Sequence, residues 1–249
     1  FSPRVRKSPY FNSTIKYGAT AFSVYNHMYM PVTYDGTVED YKKLLDGVQL
    51  WDVGVERQVQ IKGRDAEAFA QFLTPRDIKK CSVGQAMYTP LTDFEGKLIN
   101  DPVMLRIAED CYWFSVSDGD LILWAQAIAA GYKFDVDVDE PDVSPLQVQG
   151  PNSTKLMIKV FGDWINDITF YKFKEIEYQG IPLVIARMGY SKELCYELFL
   201  RDHSKGDELW EILWQAGQEF NISPGSPNII LRLEGGILSY LADIDRTNN

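Results

Sequence analysis

Histidine is scarce, with two residues in 249, His27 and His203. That scarcity leaves a His-based hydrolase or a zinc enzyme almost nothing to be built from. His27, in YNHM between aromatics and methionine, reads as a packed core residue, and His203, in the polar turn RDHSKG, as solvated. Cysteine is nearly as thin. Cys81, Cys111 and Cys195 are odd in number and far apart, so they form neither a disulfide framework nor a CxxC metal pair. No apolar run reaches the ~18 residues of a bilayer span; LILWAQAIAAGY is broken by Gln126. Compact basic tracts are absent too, and 25 Lys and Arg against 35 Asp and Glu leave a net charge of −10. Nucleic acid and anionic membranes are therefore disfavoured as partners. There is no P-loop, no GxGxxG after a strand, no GxSxG and no HExxH. The N-terminus shows no charged–apolar–small-residue leader. A cytoplasmic protein with no nucleic-acid or membrane partner is expected. The chain opens at Phe1 and stops at RTNN, which reads as a fragment of a longer polypeptide.

What is present is ordinary for a globular chain: 45% apolar and 24% charged residues, 18 Gly and 12 Pro. Residues 1–35 read as irregular with short strands. Val38, Tyr41, Leu44, Leu45 and Val48 follow helical spacing, and RQVQIKG alternates as a strand closed by Gly63. Asp65 reads as the N-cap of AEAFAQFL. QAMYTPLTD, KLINDPVMLRI and CYWFSVS follow as antiparallel strands with short turns, then the helix DLILWAQAIAAGY and the strand KFDVDVD. Pro141 and Pro145 bracket a boundary. Beyond it come the strand LQVQGP, the helix NSTKLMIKVFG capped by Asn152 or Ser153, a hairpin turning at Gln179-Gly180, the strand ELCYELFLR, the helix GDELWEILWQAGQEF and a last helix through LRLEGGILSYLAD. Strands and helices without strict βαβ alternation predict an α+β fold.

With so little histidine, carboxylates in apolar settings are the chemical candidates. Asp101, in LINDPVML, lies between apolar stretches, where burial raises a carboxyl pKa; its bland alternative is a turn residue before Pro102. Glu197, in CYELFL, lies mid-strand and needs a partner if buried, either an internal Arg or a ligand's N–H groups. Strand alternation equally allows it to face solvent. Glu234 reads as structural, paired with Arg232 or capping a turn.

Taken in order, WDV…QVQIKGRDA, MYTPL…EGKLINDPVML, VQGPNS, ARMGYSKELCYELFL and LRLEGGILSY resemble the successive motifs of the glycine-cleavage T-protein (aminomethyltransferase) superfamily. There the stretches read approximately DVS…G-x-DA, Y-x-x-x…G-G-x-x-D-D, GP, R-x-GY-x-GE-x-G-x-E and RLEAG. The resemblance spans residues 48 to 242. It implies a multi-lobed folate-binding cloverleaf with tetrahydrofolate in a central channel and a C-terminal barrel lobe missing from this chain. Residues 1–50 and 140–249 would form a discontinuous first lobe, and 51–139 a second, antiparallel-sheet lobe. By position, Asp101 matches the active-site Asp near the reacting pterin nitrogens, and Tyr88 an aromatic lining the channel. Glu197 matches the acid holding the pterin's amino edge, and Tyr171 and Tyr190 match folate-contacting aromatics. Arg187 and Arg232 are candidates for the anionic glutamate tail, or internal counter-ions.

Within the superfamily, GSPN (Gly225 to Asn228) lacks the T-protein Arg, and DVGVERQV carries Glu56-Arg57 in place of His-Met-Gly. With VYNHM (24–28) and SVSDGD (115–120), these departures resemble the dimethylsulfoniopropionate demethylase branch, where Ser115 falls in the substrate pocket. That branch is expected to carry Trp where this chain has Tyr190. The resemblance implies methyl transfer from a small sulfonium donor to folate N5. T-protein-like aminomethyl transfer, or demethylation of a methylated glycine, stays open, as does a non-catalytic folate-binding protein. Against an iron–sulfur maintenance role, RMGYSKELCYE lacks the Cys-containing motif of that branch. A homodimer is kept open as the assembly.

Overall fold

Along the chain, the computed structural model, which describes residues 1–247, forms α1 (Phe11–Lys16), β1 (Ala21–Tyr25), β2 (Met28–Thr33), α2 (Thr37–Asp46), β3 (Val48–Asp52), β4 (Gln58–Lys62), α3 (Ala66–Phe72), β5 (Gln85–Tyr88), β6 (Leu91–Thr92), β7 (Leu98–Asn100), β8 (Val103–Ala108) and β9 (Cys111–Ser115). There follow α4 (Leu121–Tyr132), β10 (Asp137–Asp139), β11 (Ser144–Gln149), α5 (Ser153–Phe161), β12 (Phe173–Tyr178), β13 (Ile181–Ala186), β14 (Cys195–Leu200), α6 (Gly206–Gly217), β15 (Ile222–Gly225) and α7 (Ile229–Glu234). These elements group into two compact units, Phe1–Val55 with Asp142–Ile237, and Glu56–Pro141 with Leu238–Asn249. The segment from Leu238 thus groups with the second unit, where the sequence reading had placed it with the first.

The first unit is built on a six-stranded sheet, β12-β13-β14-β11-β3-β15. Only β15 runs parallel to its neighbour, β3; the other pairs are antiparallel. One face carries Val48, Leu50, Leu146, Val148, Tyr196, Leu198 and Leu200, packed with Leu156 and Met157 of α5 and Leu209, Trp210 and Leu213 of α6. Each such side chain contributes roughly 1.5–3 kcal/mol when fully buried. Because strand side chains alternate, the opposite face takes Gln49, Trp51, Gln147, Gln149 and Glu197. These too are buried, none more than 3% exposed. A sheet with a buried, largely polar second face is what positions Glu197 and its glutamine neighbours.

The second unit is a five-stranded antiparallel sheet, β10-β4-β9-β8-β5, joined by the short pair β6-β7. Val59, Ile61, Met104, Tyr112 and Phe114 pack on one face with Phe69 of α3 and Leu121, Ala125 and Ile128 of α4. On the other face the register aligns Gln58 with Ser115, Ser115 with Val103, and Val103 with Tyr88.

Several local expectations change. His27 is an exposed hairpin-turn residue, not core: Asn26 (φ 48°) and His27 (φ 60°) both take the left-handed conformation of a tight turn between β1 and β2. Residues 11–16 form a short helix rather than irregular chain. The last helix ends at Glu234, where Gly235 and Gly236 follow and Gly236 takes φ 65°. Asp65 precedes its helix without capping it, since its carboxylate accepts from the Asp135 backbone N–H (2.9 Å). Asn152 likewise makes no capping bond and donates to the Phe220 carbonyl (3.2 Å). KLINDPVMLRI is two strands, divided at Asp101-Pro102. The hairpin turn at Gln179-Gly180 forms with both residues at positive φ, 52° and 77°.

Candidate active site

In the second unit, β7 ends at Asn100 and the chain kinks at Asp101-Pro102 before β8, a position where Pro removes a backbone donor and strand pairing stops. Asp101 is 8% exposed. Its Oδ2 accepts from Tyr88 Oη (3.1 Å) and its Oδ1 from Ser117 Oγ (2.5 Å). Burial pushes its carboxyl above the ordinary value of 3.8, and the bonds from Ser117 and Tyr88 oppose that rise. Ser117 is itself held: the Asn100 side chain accepts from its backbone N–H and donates to its carbonyl, both at 3.1 Å. Tyr240 joins the same unit, its phenol pushed up by burial and by the charge of Asp101, Asp245 and Asp118.

Ser115 closes β9 and is 7% exposed. Its Oγ accepts from Gln58 Nε2 (2.9 Å), so its own proton is left to donate elsewhere. Gln58 Oε1 has no hydrogen-bond partner. Tyr88, Asp101 and Ser115 therefore come together at one end of one sheet. Ser117, Asn100 and Gln58, which sequence reasoning missed, support them.

In the first unit, Glu197 on β14 stands opposite Gln147 on β11. It is 3% exposed. Its partner is a carboxamide and not an Arg: Oε1 accepts from Gln147 Nε2, and Oε2 has no hydrogen-bond partner in the protein. Desolvation pushes its carboxyl up to about 7 despite that bond. Gln147 Oε1 in turn accepts from Gln149 Nε2 (2.8 Å), and Gln149 Oε1 from Ser191 Oγ (2.7 Å). Gly189 explains how this packs: a Cβ there would stand 2.3 Å from Cys195 Sγ and 2.9 Å from Gln149 Nε2. Burial pushes the Cys195 thiol to about 12, with the Glu197 charge adding to it.

The remaining residues sit nearby in the chain. Tyr171 has φ 59° and bonds through its N–H to the Arg187 carbonyl (2.9 Å). The Arg187 guanidinium lies 5.7 Å from the Tyr196 ring centre. Tyr190 is half-buried, in the loop before β14. Arg232 donates to the Ile237 carbonyl (3.1 Å), and Glu234 bonds Lys192 (2.7 Å) and Tyr41 (3.0 Å) at the surface rather than Arg232. Among the described residues there is no cluster of three or more metal-ligating side chains and no helix long and apolar enough to cross a membrane.

A buried carboxylate oxygen without a donor is costly, and a ligand bearing adjacent N–H groups relieves it. The pterin of tetrahydrofolate has that donor pattern, and Glu197 fits it on this count.

The GCVT N-terminal domain family matches residues 10–249. The chain is 42% identical over 247 residues to the dimethylsulfoniopropionate demethylase of Ruegeria pomeroyi, covering 99% of this chain and 68% of that protein. It is 32% identical over 228 residues to an aminomethyltransferase of Chlorobium limicola, covering 88% and 62%. The crystal structure of the glycine cleavage system aminomethyltransferase T from Bartonella henselae superposes with a TM-score of 0.85 at 22% identity, over 98% of this chain and 66% of that one. The chain thus spans about two thirds of the length of these relatives. On the sequence match and the shared α+β fold together, the chain belongs to the GCVT N-terminal domain family of tetrahydrofolate-dependent one-carbon transferases.

Proposed function

We propose that this chain carries the folate- and donor-binding residues of a methyltransferase that takes a methyl group from a small sulfonium compound such as dimethylsulfoniopropionate. Tetrahydrofolate supplies the accepting nitrogen N5, which gives up its proton to solvent as it gains the methyl group, while the donor sulfur keeps the electron pair of the broken C–S bond and leaves as a neutral thioether. Departure of a neutral thioether needs no general acid, which suits a chain with two histidines. What the protein supplies is placement, and alignment of reacting groups contributes up to ~7–11 kcal/mol.

The observation that carries this reading is the Asp101 constellation. Its carboxylate is held by two neutral hydroxyls, Tyr88 and Ser117, so its negative charge stays available to a cation. The Tyr88 ring adds a cation–π contact worth about 0.5–2 kcal/mol against a sulfonium. Ser115, its oxygen already accepting from Gln58, donates to the donor's carboxylate. Glu197 holds the pterin's amino edge through Oε2, Tyr171 and Tyr190 give the pterin aromatic contact, and Arg187 takes the anionic tail. The 42% identity to a dimethylsulfoniopropionate demethylase supports this choice of donor over an aminomethyl carrier.

The test is incubation of the protein with tetrahydrofolate and dimethylsulfoniopropionate, with mass detection of methyl-tetrahydrofolate and of the demethylated thioether. Both products are expected in equal amounts. Turnover supported only by aminomethyl-lipoyl carrier or methylated glycine would overturn the sulfonium reading.

A further inference from the structure

Gln147 and Gln149 are 1% and 0% exposed, yet neither touches a reacting group in the scheme above. Burying two carboxamides in a sheet is unfavourable unless their bonding is complete. They lie in one line with Ser191. The Glu193 backbone N–H donates to Ser191 Oγ (3.1 Å), Ser191 Oγ–H to Gln149 Oε1 (2.7 Å), Gln149 Nε2 to Gln147 Oε1 (2.8 Å), and Gln147 Nε2 to Glu197 Oε1. The direction of such a line is ordinarily ambiguous, because a carboxamide flipped end for end fits equally well. Here the carboxylate end sets the direction: in its ionised form Glu197 only accepts, so Gln147 donates to it, Gln149 to Gln147 and Ser191 to Gln149, while the Ser191 oxygen keeps a lone pair for the Glu193 N–H. Each hydroxyl and amide of the line is thereby left with one orientation, and Glu197 with one occupied oxygen and one open one.

We propose that Ser191, Gln149 and Gln147 are positioning residues: an ordered hydrogen-bond line that pins Glu197 Oε1 and so presents Oε2 to the ligand's N–H groups. This rests on the reading that Glu197 binds the folate. Ser191 directly follows Tyr190 in the loop between β13 and β14, so the seating of that loop and the orientation of the carboxylate become one variable. Consecutive donors polarise one another, so loss of the first weakens the last although three bonds separate them. A merely space-filling role for Ser191 has no such consequence.

The experiment compares Ser191→Ala, Ser191→Thr and Glu197→Ala by calorimetry with tetrahydrofolate. A second, folate-free measurement follows the Glu197 carboxyl by infrared pH titration, its band identified as the one lost in Glu197→Gln. Ser191→Ala is half-buried and substitutes without a cavity of consequence. It is expected to weaken tetrahydrofolate about threefold to tenfold, because the Ser191–Gln149 bond that seats the Tyr190 loop is lost, and to raise the carboxyl's titration midpoint, because the polarisation passed down the line is lost with it. Ser191→Thr keeps the hydroxyl and is expected to restore affinity to within about twofold. If Glu197→Ala leaves affinity unchanged, the folate reading of Glu197 fails and the infrared midpoint alone decides the line. If Glu197→Ala weakens binding while Ser191→Ala moves neither affinity nor midpoint, the proposal is overturned.

Discussion

Glu197→Gln tests the energetics of the buried polar face directly. In the wild type, burial moves the carboxyl from its ordinary 4.5 to about 7. A raised acid pKa means the folded state holds its proton more tightly than the unfolded chain does. Stability from this group is therefore complete below pH 4.5 and is lost as pH rises through 7. For a single group with that gap, the loss between pH 5 and pH 8 is about 2–3 kcal/mol. Glutamine removes the titration. Its oxygen takes the place of Oε1 and accepts from Gln147; its NH2 takes the place of Oε2 as an unpartnered donor, a pH-independent cost of about 1–3 kcal/mol. Asp52 is fully buried, bonded to Ser8 Oγ and the Gly54 N–H, and burial pushes it up to about 6, so it titrates with the same sign in an overlapping range. The difference between variant and wild type cancels it. Urea unfolding of both proteins from pH 5 to pH 8 is expected to show the variant gaining about 2–3 kcal/mol relative to wild type across that range. Parallel profiles would refute the reasoning, because they would mean that Glu197 is not desolvated. The same variant faces the pterin with a donor instead of an acceptor and is expected to lose at least about tenfold in tetrahydrofolate affinity.

The remaining variants separate chemistry from packing. Asp101→Asn keeps the shape and removes the charge; turnover is expected to fall about 10²–10³-fold with tetrahydrofolate affinity nearly unchanged, and the opposite pattern would make Asp101 a binding residue. Since burial raises the Asp101 carboxyl, the acid limb of the kcat profile should lie above pH 3.8, and it should vanish in Asp101→Asn. Gly189→Ala is expected to destabilise the protein by about 1–3 kcal/mol in denaturant unfolding, because its Cβ meets the Cys195 sulfur and the Gln149 amide; an unchanged midpoint would mean the loop moves freely.

The helices LILWAQAIAAGY and NSTKLMIKVFG and the strands QVQIK and CYELFL were legible because each carries one periodicity and a clear stop. Turn chemistry was harder to read. YNHM looked like core because aromatics and methionine flank His27, but Asn26 accepts positive φ and drives a hairpin instead. LRLEGGILSYLAD looked helical through its leucines, and two consecutive glycines ended it. The carboxylates were found because charge in an apolar strand is conspicuous. Their supports were not, because Gln147, Gln149, Gln58, Asn100 and Ser117 are neutral, and alternating Q and L in LQVQGP looks the same whether the polar face meets water or protein. A usable signal was the choice of glutamine: a solvated strand face favours charge and threonine, whereas LQVQ and VQL put carboxamides at register-matched positions of neighbouring strands, Gln49 opposite Gln149.

Both carboxylates share a feature with a measurable consequence. Asp101 is bonded by Tyr88 and Ser117, and Glu197 by Gln147, all neutral donors. An arginine partner would have lowered each pKa and spent the charge internally; neutral partners leave it raised and unspent. For Glu197, titrating at about 7, the carboxyl at neutral pH is shared between protonated and ionised forms. A ligand that brings N–H groups to Oε2 binds the ionised form, because the protonated one presents a donor or a weaker acceptor. Binding must then drive off whatever proton is there. Tetrahydrofolate binding is expected to release about half a proton at pH 7, close to one at pH 6 and almost none above pH 8. Calorimetry of the same titration in phosphate and in imidazole buffer reads this number, since the two buffers take up the proton with very different heats. Glu197→Gln should abolish the difference between buffers. A binding enthalpy independent of buffer in the wild type at pH 6 would show that Oε2 is not where the ligand's donors land.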